Sequence, residues 1–241
     1  ETLRTMGSRP PCMTDGGHET LDWERLLRLG LPGLCEGATQ RLSECQAGQR
    51  EFLQGMVDVA LAFQTYAVRY AQAARDAGLS EAAAVVDALA SRAPETFREA
   101  LQLVWLMGSV YVTMCATNAT LTFGRLDQWL FPFYERDLKA GLLSRQLAGD
   151  LIEDFYCKNN LILGRGEHQM SGGGGACTGW DRNLCYDAPQ YVILGGQRGL
   201  DRPDFSDLTD LFLERIVPRF ENPYVVVRYH PSLSPRTWRL V

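Results

Sequence analysis

The chain has 241 residues, 46% of them apolar and 22% charged, which suits one large globular domain or two small ones with a real core. Twenty-nine acidic residues against 24 basic ones give a formal net charge of −5, which argues against nucleic-acid or acidic-membrane binding through bulk electrostatics. The best apolar run, Leu101 to Ala116, is interrupted by Gln102, Gly108, Ser109 and Thr113, so no stretch reaches the roughly 20 apolar residues of a membrane helix.

Residues 1–20 carry Gly7, Pro10, Pro11, Gly16 and Gly17 and read as a connector without the apolar core of a secretion signal. From Leu21 to Leu34 leucines recur at helical spacing, with a break at Gly30 and Gly33. The next helix has the clearest stripe: Phe52, Met56, Val59, Phe63, Ala67, Tyr70 and Ala74 are expected to face the core. Gly78 stops it, and Ser80 caps a shorter Ala-rich helix to about Arg92. Pro94 opens another helix, with Phe97, Leu101, Val104 and Trp105 inward. Ser109 to Met114, rich in Val, Tyr and Thr, is a strand candidate, as is Leu121 to Phe123. A helix follows to about Lys139. Ser144 caps another, with Leu147, Leu151, Ile152, Phe155 and Tyr156 inward. Residues 164–179 dissolve into Gly, His, Gln and Ser and read as a flexible loop. Tyr191 to Leu194 is then a strand ending in Gly195-Gly196, followed by a helix from Ser206 to Ile216 and the strand Tyr224 to Arg228. Strand, helix and strand with short connections imply a parallel βαβ unit. The front half, 21–108, is therefore mainly helical, and the back half, 109–241, is α/β.

Several chemistries lack their residues. No GxxxxGK[ST] loop or dinucleotide GxGxxG register follows a strand, and no GxSxG elbow is present. His168, Cys177, Cys185 and Cys157 have spacings unlike a structural zinc site. The seven cysteines are odd in number and form no CxxC pair, so reduced thiols in a cytoplasmic compartment are expected.

Three segments ask for more than a folding role. They are Pro94 to Gln102 followed by Trp105, Gly124-Arg125-Leu126-Asp127-Gln128 with its aromatic continuation to Tyr134, and Ile193-Leu194-Gly195-Gly196-Gln197 followed by Val227-Arg228-Tyr229-His230-Pro231. Together, in this order, they resemble the glycyl radical enzymes of the pyruvate formate-lyase type, the group that includes glycerol dehydratase and choline lyase. Gly17-His18, Leu29 to Gly33, and Glu153-Asp154-Phe155 with Lys158 extend the likeness from about residue 16 to 239.

The resemblance implies a helical layer followed by part of a ten-stranded α/β barrel, incomplete in this chain. It implies radical cleavage or formation of a C–C, C–O, C–N or C–S bond in a small organic substrate. A separate activase using S-adenosylmethionine and an iron–sulfur cluster installs the family's glycyl radical, so no cofactor is expected on this chain. The family's cysteine in a Gly-Cys motif and its Arg-Val-x-Gly-Tyr-like glycyl motif are absent. The chain is thus expected to be inert alone, a piece of a longer polypeptide that forms a homodimer when intact. A truncated or non-catalytic paralogue acting as a binding module is the alternative.

Candidate pocket residues are Asn118, Ala119, Thr120, Gln197, Arg228 and His230. Gly124, Arg125, Asp127, Gln128, Gly195 and Gly196 are expected to build the wall. Arg228 and His230 alternate with Val227 and Tyr229, so they share one strand face and need partners or a cavity; Asp127 and Asp207 are candidate partners for Arg228. Two departures bear on substrate. Ala119-Thr120 stands where diol-dehydratase and choline-lyase relatives carry a His-Ser pair, and Ser206 replaces an asparagine of the family's pattern.

Overall fold

The computed structural model describes residues 19–114, 121–162, 190–198, 202–217, 222–231 and 233–241. The chain divides into two compact units, one made of residues 22–106 and the other of residues 1–21 with 107–241.

After the two-residue strand β1 (Glu19–Thr20) comes α1 (Trp23–Glu44). The side chain of Asp22 accepts a 3.1 Å hydrogen bond from the Arg25 N–H and so closes its N-terminus. The expected break falls at Gly30, whose φ of 65° joins two helical pieces at a kink just before Pro32. A Cβ there would stand 2.6 Å from the Ala93 Cα, so both the left-handed backbone and the close approach require glycine. A 3₁₀ turn at Ala47–Gln49 leads into α2 (Arg50–Asp76), which packs against α1 and against α3 (Ser80–Ser91). Ser80, expected as the cap of α3, is its first residue instead, and Leu79 occupies the cap position without a side-chain bond.

The packed face of α2 is only partly the expected stripe. Ala67 is buried as expected, joined by Val57 and Ala71, while Phe52, Met56, Val59 and Tyr70 are exposed. Three helices approach closely where alanines line the contact, so the face with little bulk is the one turned inward.

In α4 (Phe97–Met114), Phe97, Leu101 and Val104 are buried and Trp105 is half-buried. Its N-terminal approach is fixed by a fork-to-fork pair, Arg92 Nη1 and Nη2 donating at 2.9 and 2.8 Å to Glu99, which also accepts from the Glu95 N–H at 2.7 Å. Ser109 to Met114, expected as a strand, is the last part of this helix. β-Branched content is a weak preference here, and the register already running from Phe97 continues instead. Gly108 lets the helix meet β2 (Leu121–Arg125): a Cβ would lie 2.6 Å from the Phe123 ring.

β2 runs directly into α5 (Leu126–Trp129) and α6 (Phe131–Lys139). α7 (Arg145–Ile162) begins at Ser144, whose hydroxyl accepts from the Leu147 N–H at 3.1 Å. Its inward face is Ala148, Ile152, Phe155 and Tyr156, whereas Leu147, expected inward, is exposed. One helical position separates Leu147 from Ala148, and the smaller side chain takes the packed place. Phe155 meets Phe123 edge-on at 5.1 Å, and the buried Tyr156 hydroxyl donates to the Phe212 carbonyl at 3.2 Å.

β3 (Tyr191–Gly195) is followed by a small antiparallel pair, β4 (Gln197–Arg198) and β5 (Arg202–Pro203), then α8 (Asp207–Glu214), β6 (Tyr224–Arg228) and α9 (Pro235–Leu240). The main sheet has the order β1-β2-β3-β6 with every neighbour parallel. That is the βαβ arrangement expected from the sequence. β3 and β6 are pinned at their start, where the Asn222 side chain accepts from the Gln190 N–H at 3.0 Å and donates to its Oε1 at 2.9 Å. The core of this unit is Leu121, Phe123, Leu126, Leu130, Ile152, Phe155, Val192, Leu194, Leu208 and Phe212. Among the described residues no helix is long and apolar enough to cross a membrane.

Candidate active-site wall

Parallel strands bring their C-terminal ends to one edge, and β2, β3 and β6 end there in Arg125, Gly195 and Arg228. The junction is organised by a turn that carries no side chains. Gly195 and Gly196 have φ of 66° and 101°, a region only glycine enters cheaply. A Cβ on Gly195 would fall 2.0 Å from the Phe205 ring, and one on Gly196 would fall 3.1 Å from Arg228 Cδ and Nε. Phe205 and Arg228 thus lie against bare backbone.

The Gly124 to Gln128 segment holds this turn atom by atom. Gly124, with φ 65°, coincides with an irregularity in the β2–β3 register, after which pairing resumes and the strand ends at Arg125. Arg125 Nε donates to the Gly195 carbonyl and its Nη1 to the Gln197 carbonyl, both at 3.2 Å. Nη2 of the same guanidinium lies 3.6 Å from Asp204 Oδ2. Gln128 Nε2 donates to the Gly195 carbonyl at 3.2 Å. Asp127 Oδ2 accepts from the Gly195 N–H at 2.8 Å and from the Thr209 hydroxyl at 2.7 Å. Both backbone groups of Gly195 are therefore satisfied by one short motif.

Asp127 is 1% exposed, and its Oδ1 has no hydrogen-bond partner among the described residues. Burial pushes its pKa up to about 6, against the stabilising pull of the Thr209 hydroxyl, the Gly195 N–H and the Arg125 guanidinium; Asp204 adds to the rise. Thr209 belongs to the capping box of α8, its hydroxyl accepting from the Ser206 N–H at 3.0 Å while the Ser206 hydroxyl accepts from the Thr209 N–H at 3.3 Å. Ser206 is thus a working helix cap.

Of the candidate pocket residues, Gln197 and Arg228 come together at this edge across Gly196. Arg228 is exposed, contrary to the expected buried face, because β6 is the last strand of the order and its alternate residues Tyr224, Val226 and Arg228 all face outward. Neither expected carboxylate pairs with it. Asp127 is committed to Gly195 and Thr209, and Asp207 accepts from the Tyr134 hydroxyl at 2.6 Å and from Arg145 Nε at 3.1 Å. His230 lies beyond the end of β6 and is half-buried. Asn118, Ala119 and Thr120 lie outside the described residues, as do His168, Cys177 and Cys185. Among the described residues no three His, Cys, Asp or Glu side chains converge on a metal position. Sequence reasoning missed Thr209, Asp204 and Phe205. The Ser206-x-x-Thr209 spacing signals a cap, but nothing local links Thr209 to an aspartate 82 positions earlier.

A parallel sheet whose strand ends converge on a clamped, side-chain-free turn is the layout of an α/β scaffold that receives a ligand at its C-terminal edge. The pyruvate formate lyase-like family model matches residues 5–241, and the chain belongs to that family of glycyl radical enzymes. It is 27% identical over 237 residues to (2S)-3-sulfopropanediol dehydratase of Klebsiella oxytoca, covering 90% of this chain and 27% of that protein. It is 29% identical over 239 residues to the isethionate sulfite-lyase of Oleidesulfovibrio alaskensis, covering 90% of this chain and again 27% of the relative. Among solved structures, a glycyl radical enzyme from Archaeoglobus fulgidus aligns with a TM-score of 0.77 at 23% identity, over 93% of this chain and 30% of that one. The glycerol-bound B12-independent glycerol dehydratase from Clostridium butyricum aligns with a TM-score of 0.75 at 22% identity, over the same shares. The chain therefore spans less than a third of the length of these relatives.

Proposed function

We propose that this chain is the N-proximal part of a pyruvate formate lyase-like glycyl radical enzyme and supplies one wall of its substrate pocket. The supporting observation is the clamped Gly195-Gly196 turn, with Arg228 laid across it and Gln197 beside it. Bare backbone lets a small substrate come close, and a guanidinium at that edge can form paired hydrogen bonds with an anionic group. The substrate class is accordingly a small hydroxylated molecule carrying a carboxylate, sulfonate or phosphate. Residues of this chain bind and orient; the cysteine and glycine that carry the radical belong to sequence outside it. The radical would be installed by a separate S-adenosylmethionine-dependent iron–sulfur activase, and the intact protein would be a homodimer.

The test uses the longer polypeptide, activated anaerobically. A glycyl doublet in the EPR spectrum, with turnover of isethionate or (2S)-3-sulfopropanediol and not of glycerol or 1,2-propanediol, is the expected result. Turnover of the neutral diols alone overturns the anionic substrate class, and a missing doublet under conditions that activate a known relative overturns the radical reading. Arg228→Ala in the active protein should raise KM by at least about tenfold with a smaller change in kcat, as for a lost binding contact. Because Arg228 is exposed in this chain, the Tm of the 241-residue chain carrying Arg228→Ala should stay nearly unchanged. The 241-residue chain alone should turn over none of the four compounds.

A further inference from the structure

Both hydrogen bonds that Asp127 accepts fall on one of its two oxygens. Oδ2 takes the Gly195 N–H at 2.8 Å and the Thr209 hydroxyl at 2.7 Å. Oδ1 is buried and has no hydrogen-bond partner among the described residues. This division decides what a proton does there. A proton on Oδ1 removes the charge and leaves Oδ2 as an acceptor, so both bonds persist. The Gly195-Gly196 turn therefore keeps its shape in either protonation state, and only the charge behind it changes.

Burial pushes this carboxyl up to about 6; Arg125 on β2 pulls it down, and Asp204 ahead of α8 pushes it up. Tyr156 on α7 responds to it, since burial first and the Asp127 charge second raise that phenol. The other charged groups of the neighbouring helices are turned to partners of their own. On α8, Asp207 serves Tyr134 and Arg145, Glu214 serves Arg145 and Arg236, and Asp210 serves Thr237 and Arg236. On α6, Asp137 pairs with Arg136 and Glu135 with Lys139. Across the turn stands Arg228, 3.1 Å from where a Gly196 Cβ would be. Standard backbone dimensions then place the Asp127 carboxyl within about 12 Å of the Arg228 side chain.

We propose that Asp127 is a charge switch behind the pocket wall, weakening the binding of an anionic substrate group at Arg228 when ionised and strengthening it when protonated. The switch rests on the reading of this edge as the wall of an anion-binding pocket. Its sign follows from repulsion between like charges. Affinity is greatest while the carboxyl is neutral and falls as pH rises through about 6. Over roughly 12 Å of partly solvated protein, one elementary charge changes the affinity for an anion about threefold.

Calorimetric titration of isethionate into the longer polypeptide, without radical activation, tests this between about pH 5.5 and 8. A sulfonate stays ionised throughout, so the ligand adds no titration of its own. The parent should bind about threefold more weakly at the upper end of the range. Asp127→Asn keeps the acceptor oxygen and carries an amide in place of the protonated Oδ1. It should bind at every pH as the parent does at the lower end, hence about threefold tighter than the parent at the upper end. A merely structural role cannot produce that gain, since a damaged turn only loses affinity. Thr209→Val removes one bond that favours the ionised form, so it should move the midpoint of the parent's slope to higher pH. His230→Gln, next to the same strand end, should keep the parent's slope. The proposal is overturned by a slope that survives in Asp127→Asn, by a midpoint unmoved in Thr209→Val, or by a slope lost in His230→Gln. A polypeptide that binds isethionate at no pH overturns the anionic substrate class as well, whereas binding with the wrong pH response overturns the switch alone.

Discussion

Gly195→Ala is expected to lower the unfolding free energy by about 3 kcal/mol, the combined scale of a left-handed non-glycine residue and an overpacked site. The backbone there has φ 66°, and the new methyl would stand 2.0 Å from a Phe205 ring carbon. Relief cannot come from moving the turn. Its carbonyl is held by Arg125 and Gln128 and its N–H by Asp127, so displacement breaks three hydrogen bonds at once. Relief must come from the ring. Phe205→Ala should therefore recover about 1–2 kcal/mol of the loss when combined with Gly195→Ala, a coupling that urea denaturation of the four proteins measures. Equal costs in both backgrounds would mean that the φ requirement alone, without the ring contact, explains the effect.

The second large effect concerns Asp127. Asp127→Ala removes the acceptor of both the Gly195 N–H and the Thr209 hydroxyl in a fully buried place, and a loss of about 3 kcal/mol is expected. Asp127→Asn keeps an acceptor oxygen and removes the charge, so it isolates the titration. With its folded pKa raised to about 6, this carboxyl takes up its proton more readily folded than unfolded. Its contribution to stability is greatest below the unfolded pKa near 4 and is lost as pH rises through about 6. The parent should therefore lose roughly 2 kcal/mol relative to Asp127→Asn between pH 4 and 7.5. Carboxylates remote from Asp127 titrate alike in both proteins and cancel in the difference. A parent-minus-variant curve that is flat over this window, or that rises with pH, would show that Asp127 is not held against its charge.

Much of the α/β half was legible because its signals are short-range. Tyr191 to Gly195 and Tyr224 to Arg228 are strands as expected, joined by a helix whose cap, Ser206, is written beside it. That the Gly124 to Gln128 segment needs partners was legible, because burying an arginine, an aspartate and a glutamine together demands them. Which partners was not legible, since Gly195 and Thr209 lie 68 and 82 positions from Asp127. The errors share a cause. Ser109 to Met114, the inward face of α2 and the place of Leu147 were all judged from side-chain type, whereas packing against neighbours selected helix continuity and small residues. Arg228 was expected to be paired or to face a cavity, whereas among the described residues β6 is the last strand of the sheet and Arg228 is exposed on it.

The first pairing in the sheet joins Glu19 to Leu121 and Thr20 to Thr122, with the Thr20 hydroxyl donating to the Thr122 carbonyl at 3.0 Å across 102 positions. Between these two strands the chain builds the compact helical unit of residues 22–106. Contact order is thus divided very unevenly along the polypeptide: local within the helical unit, long between β1 and β2. Closing so long a loop from a disordered chain costs entropy that grows with the logarithm of its length, and a helical unit that has already formed shortens the disordered part. A ribosome-bound chain can complete those helices before β2 has emerged. The two-residue β1, made first, then has to wait for β2 before it has anything to pair with.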